Sequence, residues 1–328
     1  MFITPAVAGS TLYIGSCSGR FYALDIVTGA DRWVYDTSAD GSPAQFHGDV
    51  LIAGNRLFVG ADAQPVGHLY AFDAVSGRVA WKLPFPGGVP ARVLGRGDLV
   101  YAQASGGEAW AVEGATGELV WLHEAVGPGA VSQRQVDPLL AGDSLVVGWP
   151  SGDVESLDAV TGDLVWSARI GQRLNTSLAA VGGHVVVGAV DGKLHALALA
   201  DGRPRPPIDL GGLPYGDLVA TDRCLLVLHF SGDHSLSCLD VARGESVWTR
   251  KFASEIGTFR PLLLGDAVVV GYAGRLVGLD LADGTDAWSC AVDGVPRGLN
   301  ADDDRLYVGM QSGTVTALPL PQCIGERE

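Results

Sequence analysis

The sequence predicts an all-β protein, an eight-bladed β-propeller with four antiparallel strands in each blade. One short motif recurs along the 328 residues, its copies lie 39 to 48 residues apart, and no stretch of useful length has helical periodicity. A period near 40 residues with four short strands per unit is typical of propeller blades. We therefore expect residues 1–328 to form a single propeller domain.

The recurring motif combines a small residue, an acidic residue, a turn ending in glycine, and a tryptophan. Glycine accommodates the positive φ of a tight turn, and the acidic side chain can accept hydrogen bonds from turn amides. The copies, of which the last stops short of the tryptophan position, are ALDIVTGADRW (23–33), AFDAVSGRVAW (71–81), AVEGATGELVW (111–121), SLDAVTGDLVW (156–166), ALALADGRPRP (196–206), CLDVARGESVW (238–248), GLDLADGTDAW (278–288) and ALPLPQC (317–323).

Six of the copies end in a tryptophan on the predicted outermost strand. An indole ring there offers a large flat surface that can cover the backbone of the next blade. We therefore predict a structural docking role, not a binding role, for these tryptophans, which are Trp33, Trp81, Trp121, Trp166, Trp248 and Trp288.

Each unit is interpreted as four strands, named A to D from the innermost outwards. In the first unit these are PAVAG (5–9), TLYIG (11–15), RFYALD (20–25) and DRWVYD (31–36). The eighth unit has no evident strand D. We expect residues 1–3 to supply it and close the ring, because a closed ring leaves no open edge. A seven-bladed ring with a stray hairpin is the alternative.

Charge and cysteine content limit the partners and the compartment. The net charge of −15 argues against nucleic-acid binding, since phosphates would be repelled. The five scattered cysteines include no CxxC pair, which argues against a disulfide framework or a zinc site and favours a reducing compartment. The first residues, MFITPAVAGSTLYIG, lack the features of a signal peptide, and no apolar run reaches the ~18 residues of a membrane span. These observations predict a cytoplasmic protein with no membrane partner.

The repeated motif resembles the tryptophan-docking motif of the pyrroloquinoline-quinone (PQQ)-type propeller repeats, and its in-phase copies cover nearly the whole chain. The resemblance implies an eight-bladed ring. PQQ dehydrogenases of this superfamily carry a disulfide between adjacent cysteines and a calcium ion held by Glu, Asn and Asp. No two cysteines are adjacent here, and NADDD (300–304) is interpreted as a solvated turn. We therefore predict no cofactor, neither PQQ nor calcium.

Strand alternation places the D–A and B–C loops at one end of the blades and the C–D turns at the other. The starts of strand A are unusually polar and differ from blade to blade, and aromatic residues follow several B strands. The candidate ligand-binding residues at this end are Asp49, Asp137, Asp217, Arg260, Arg92, Arg297, Trp149, His229, Tyr272, His47 and Tyr215. Two interpretations remain open: these residues line a channel and cap strand ends, or they converge on a ligand.

The function predicted from the sequence is that of a non-catalytic propeller. It would bind a protein, peptide or small ligand at the D–A and B–C loop face. The alternative is an enzyme of unfamiliar type that uses the Asp, Arg, His and Tyr residues of the channel mouth, with His229 and an aspartate as a general acid–base pair. No known catalytic motif identifies a reaction.

Overall fold

The computed structural model describes residues 4–41, 44–63, 65–125 and 136–320, and the regular secondary structure in these ranges is almost entirely β. The strands form eight antiparallel sheets, one for each predicted unit, in which successive strands pair with each other. The prediction of an eight-bladed propeller is therefore confirmed, and the seven-bladed alternative is wrong. The chain divides into two compact units between Gly171 and Gln172.

The first unit contains blades one to four. A short 3₁₀ helix, Thr37–Asp40, lies between the first two blades. The strands are β1 (Ala6–Ala8), β2 (Thr11–Gly15), β3 (Arg20–Asp25), β4 (Asp31–Asp36), β5 (Gln45–Phe46), β6 (Leu51–Ala53), β7 (Arg56–Asp62), β8 (Val66–Asp73), β9 (Val79–Pro86), β10 (Leu94–Arg96), β11 (Leu99–Ala104), β12 (Glu108–Glu113), β13 (Leu119–Glu124), β14 (Leu139–Ala141), β15 (Ser144–Gly148), β16 (Asp153–Asp158) and β17 (Leu164–Arg169).

The second unit contains blades five to eight. Its strands are β18 (Ala179–Val181), β19 (His184–Gly188), β20 (Lys193–Ala198), β21 (Ile208–Asp209), β22 (Leu213–Ala220), β23 (Leu225–Phe230), β24 (His234–Asp240), β25 (Glu245–Phe252), β26 (Leu262–Leu264), β27 (Ala267–Tyr272), β28 (Arg275–Asp280), β29 (Asp286–Ala291), β30 (Pro296–Ala301), β31 (Arg305–Met310) and β32 (Val315–Pro319).

The core lies between neighbouring sheets. Strand B is buried on both faces, as in β15, where Leu145, Val146 and Val147 are each 1% exposed or less. This explains why strand B is a continuous apolar triplet, since both of its faces pack against other sheets. Between blades one and two, the stacked rings of Phe21 and Phe72 have centroids 5.2 Å apart.

Two blades depart from the regular pattern. In blade two, β5 and β6 share the position of strand A, and both pair with β7. In blade five, strand D is reduced to the two residues of β21, which follow Pro204, Pro206 and Pro207. Proline has no N–H to donate to a neighbouring strand, so it shortens the pairing there.

Blade eight has the three strands β30 to β32 among its described residues. The residues predicted to complete it, 1–3, lie outside the described part of the chain. Closure of the ring by the N-terminal residues stays a prediction.

The prediction of no disulfide framework is wrong, because Cys224, Cys238 and Cys290 are all disulfide-bonded. Cys224 and Cys238 form a disulfide within blade six, with Cα atoms 5.4 Å apart. Cys224 precedes β23 and Cys238 lies on β24, so the antiparallel pairing of these strands brings together two residues that are 14 apart in sequence. The spacing of these two cysteines in the sequence does not reveal that they are close in space. Disulfides persist mainly in oxidising compartments.

Candidate functional site

The repeated motif forms the C–D turns, where its acidic residue organises the backbone. The Asp25 carboxylate accepts hydrogen bonds from the amides of Val27 and Thr28 at 3.0 and 2.9 Å. The Arg32 guanidinium, together with Thr28, holds the pKa of Asp25 below its ordinary value. Asp73 and Asp158 accept hydrogen bonds from the corresponding turn amides. This end of the blades is therefore occupied by turn structure.

Four of the motif tryptophans lie against the next blade. Each indole N–H donates to the carbonyl that follows the acidic residue in the next copy, at 2.9 to 3.2 Å. Each ring also covers a turn glycine so closely that a Cβ there would lie 2.4 to 2.7 Å from the ring. The pairs of tryptophan and covered glycine are Trp33 and Gly77, Trp81 and Gly117, Trp121 and Gly162, and Trp248 and Gly284. The two remaining motif tryptophans, Trp166 and Trp288, are buried.

At the opposite end, the first unit brings three of the candidate residues together. The Arg92 guanidinium lies between two carboxylates, 3.0 Å from Asp49 and 3.4 Å from Asp137. The Asp137 carboxylate also accepts a hydrogen bond from the Arg92 amide at 2.8 Å, and Asp49 accepts one from the Thr4 amide at 3.3 Å. These three side chains therefore link the strand-A starts of neighbouring blades and satisfy backbone groups there.

In the second unit, two further candidate arginines pair with acids. Arg260 lies 3.9 Å from Asp217. Arg297 donates to Glu255 at 3.0 Å and to Gln311 at 2.8 Å. These pairs again neutralise charge at the strand-A end.

The histidine and tyrosine candidates also have polar or aromatic neighbours. His47 lies 2.6 Å from the Asp62 carboxylate. The hydroxyl of Tyr215 lies 3.1 Å from Nδ1 of His234, and burial raises the pKa of Tyr215. The Tyr272 ring packs on Phe252 with centroids 5.0 Å apart. These residues therefore belong to small local networks.

Trp149 lies in the core and is 1% exposed, so it offers no surface to a ligand. Its indole N–H donates at 2.8 Å to Glu155, a fully buried carboxylate on β16, and His123 lies 2.9 Å from the same oxygen. Sequence reasoning missed Glu155 and His123. The available signal was the strand-C column three residues before the motif acid, which carries Glu155 where the first two blades carry Tyr22 and Tyr70.

His229 lies on β23 beside a row of hydroxyl groups. Its Nε2 is 2.8 Å from the Ser237 hydroxyl, which is 2.8 Å from the Thr249 hydroxyl, which in turn is 3.0 Å from Ser246. The row lines a cavity of about 260 Å³ between strand D of blade five and the face of blade six. Ser231 at one end and Gly244 at the other mark its extent along blade six.

The chemistry of this row does not provide an activated nucleophile. Nucleophile–base pairs normally need a third group that orients the base. Nδ1 of His229 has no hydrogen-bond partner among the residues that the structure describes, and Ser237 is 2% exposed. Across the described ranges, no group of three or more His, Cys, Asp or Glu side chains could hold a metal ion. The geometry therefore assigns no catalytic constellation to these residues.

Burial of His229 makes a pH-dependent contribution to stability. Desolvation, with a smaller effect of Lys251, lowers the pKa of His229 below its ordinary value of 6.5. The unfolded chain therefore binds more protons than the folded one as pH falls through about 6.5, and the free energy of unfolding decreases until the folded pKa is passed. We expect urea denaturation between neutral and mildly acidic pH to show a smaller loss for His229→Gln than for the wild type. Identical pH profiles would contradict this prediction.

Comparisons with known proteins agree with the fold. A family model described as outer membrane protein assembly factor BamB matches residues 2–66, 42–178 and 150–317. The crystal structure of BamB from Moraxella catarrhalis superposes with a TM-score of 0.78 at 21% identity, covering 97% of this chain and 96% of that one. The resemblance to the PQQ-type propeller family is thereby confirmed.

The curated relatives include assembly factors and dehydrogenases. Outer membrane protein assembly factor BamB of Yersinia pestis is 26% identical over 96% of this chain and 84% of its own length. Quinohemoprotein alcohol dehydrogenase ADH-IIG of Pseudomonas putida is 32% identical, but the match covers 49% of this chain and 24% of the dehydrogenase.

Among the described residues, no helix is both long and apolar enough to cross a membrane.

Proposed function

The chain belongs to the outer membrane protein assembly factor BamB family, and from this premise we propose that it is a non-catalytic propeller that binds protein during outer membrane protein assembly. The observation that carries the proposal is the extent of the match. The family model spans residues 2–317, and the Yersinia pestis factor aligns over nearly all of both chains. The dehydrogenase match, by contrast, covers about a quarter of that enzyme.

The prediction of a cytoplasmic location is wrong, because the relatives that align along most of the chain are outer membrane protein assembly factors. We place the protein outside the cytoplasm, in the compartment where outer membrane proteins are assembled. The disulfide between Cys224 and Cys238 supports an oxidising compartment. The comparisons support a protein partner, and they do not support the exclusion of a membrane.

The proposed binding surface is the end of the blades that carries the D–A and B–C loops. Its charged residues are held in place by one another, as Arg92 is by Asp49 and Asp137, and each of these side chains keeps about a quarter of its surface exposed. Charges fixed in this way recognise a partner at a low entropic cost, since their side chains are already ordered. The C–D end consists of turns that satisfy their own hydrogen bonds. That PQQ and calcium are not bound stays a prediction.

Site-specific photo-crosslinking in the native host tests this proposal. A photoreactive phenylalanine analogue replaces Val295, an exposed residue of the D–A connection between β29 and β30. The matched control places it at Ala282, exposed in the C–D turn of the same blade. We expect position 295 to crosslink to components of the outer membrane assembly machinery and position 282 to give little adduct. Adducts with cytoplasmic proteins alone, or from position 282 alone, would contradict the proposal.

A further inference from the structure

Blade five lacks the tryptophan that its neighbours place on strand D. Lys193 pairs with Asp209 and Leu194 with Ile208. Continuing this register brings Ala196 opposite Pro206, as Ala23 lies opposite Trp33 in blade one. Pro206 is therefore the structural equivalent of the docking tryptophans, and it is exposed.

The turn that would receive this tryptophan is nevertheless built in blade six. Gly244 has the positive φ of the other receiving glycines, +72°, and Asp240 accepts hydrogen bonds from the turn amides of Ala242 and Arg243. A Cβ at Gly244 would meet only the Ile208 side chain within 4 Å, at 3.6 Å. At four other turns the same position is 2.4 to 2.7 Å from an indole ring. The blade-six turn that would receive a tryptophan is therefore present, but no indole ring of this chain covers Gly244.

The space left open is the cavity beside His229. Its volume of about 260 Å³ is just below the roughly 300–1,000 Å³ typical of small-molecule pockets, so it suits a single large side chain rather than a cofactor. Its apolar walls are Ile208, Leu210 and Leu239, and Gly244 lies at one end. An indole ring placed in this cavity would make apolar contacts with these side chains.

The rest of the lining is polar. Ser235, Ser237, Ser246 and Thr249 contribute hydroxyl groups, and His229 contributes an imidazole. A buried tryptophan combines a large apolar ring with one N–H that needs an acceptor, whereas a phenylalanine ring has no N–H to donate to these groups. Elsewhere the acceptor is the carbonyl after the motif acid, which here is that of Val241.

We propose that this vacant docking position between blades five and six is a binding site for a tryptophan side chain supplied by a partner protein. The partner's indole would take the place that Trp33 takes in blade two, with its ring over Gly244 and its N–H directed to the blade-six backbone or hydroxyl row. The site lies between strand D of blade five and the face of blade six, whereas the proposed function uses the loops at the ends of the blades, so the site adds a second point of attachment.

Methyl NMR of the full chain tests the proposal, with N-acetyl-tryptophanamide as the probe and N-acetyl-alaninamide as its control. We expect saturable shifts of the Ile208, Leu210 and Leu239 methyl groups with the tryptophan probe, at a Kd in the millimolar range, and none with the alanine probe. Failure to bind the tryptophan probe at the limit of its solubility overturns the proposal. A negative result with this probe does not affect the crosslinking result at position 295, so each experiment tests its own proposal.

Two variants fill the cavity from opposite sides. Pro206→Trp supplies the missing ring from blade five, and Ser235→Leu narrows the cavity from blade six. We expect each to weaken probe binding at least tenfold. The matched control is Pro207→Trp, whose side chain lies on the other face of the strand because strand side chains alternate. Binding that survives both filling variants unchanged, or that is lost equally in Pro207→Trp, overturns the proposal.

Discussion

Replacing Trp121 with alanine is expected to lower the free energy of unfolding by about 3–5 kcal/mol, the range for truncating a buried tryptophan. The indole is 8% exposed, covers Gly162 of the next blade, and donates to the Ala159 carbonyl at 3.2 Å. Truncation removes this cover and leaves the carbonyl without its donor, and the turn glycine cannot move to fill the space.

Urea denaturation followed by circular dichroism measures the effect. Leu122 is the matched control, because it is the next residue on β13 and is 43% exposed. We expect Leu122→Ala to change the free energy of unfolding by about 0.5 kcal/mol or less, as exposed substitutions usually do. A loss below about 1 kcal/mol for Trp121→Ala would show that the tryptophans are not the main contacts between blades.

Replacing Glu155 with leucine is expected to destabilise the protein by about 1–3 kcal/mol, the usual cost of leaving a buried polar group without its hydrogen-bond partner. The carboxylate is fully buried and is shared by the Trp149 indole and the His123 imidazole. Leucine is similar in size but has no acceptor, so it leaves a buried indole N–H unpaired.

Glu155→Gln separates the hydrogen bonds from the charge. Its amide oxygen can still accept from Trp149, so we expect a smaller loss than for the leucine variant. Glu118→Ala, at an exposed position of the C–D turn in blade three, is the control and should be close to neutral. Equal stability of the Glu155→Leu variant and the wild type, measured by urea denaturation, would contradict the account of this cluster.

The number of blades, their strands and the turn position of the motif could be predicted from the sequence because the repeat is local. A motif such as ALDIVTGADRW (23–33) contains its own turn glycine and the acid that organises it. In blade eight, the three strands expected from the sequence are the three strands among its described residues. The division of strand A in blade two and the shortening of strand D in blade five depend on pairing, which the repeat does not encode.

The site was less predictable, because its contacts join residues that are distant in sequence. The polarity of the strand-A starts was visible, but nothing in the sequence showed that Arg92 reaches both Asp49 and Asp137. Trp149 was predicted to bind a ligand, but it is buried, and its partner Glu155 was missed because a single acid on a strand resembles an exposed position. The disulfide was missed for the same reason, and that error supported the wrong compartment.

The most direct test of the central claim is the abundance of outer membrane proteins in the native host after deletion of this gene. A protein-binding assembly factor predicts a decrease that is restored by the wild-type chain. Unchanged abundance of outer membrane proteins after deletion, or a decrease that the wild-type chain does not restore, would contradict it.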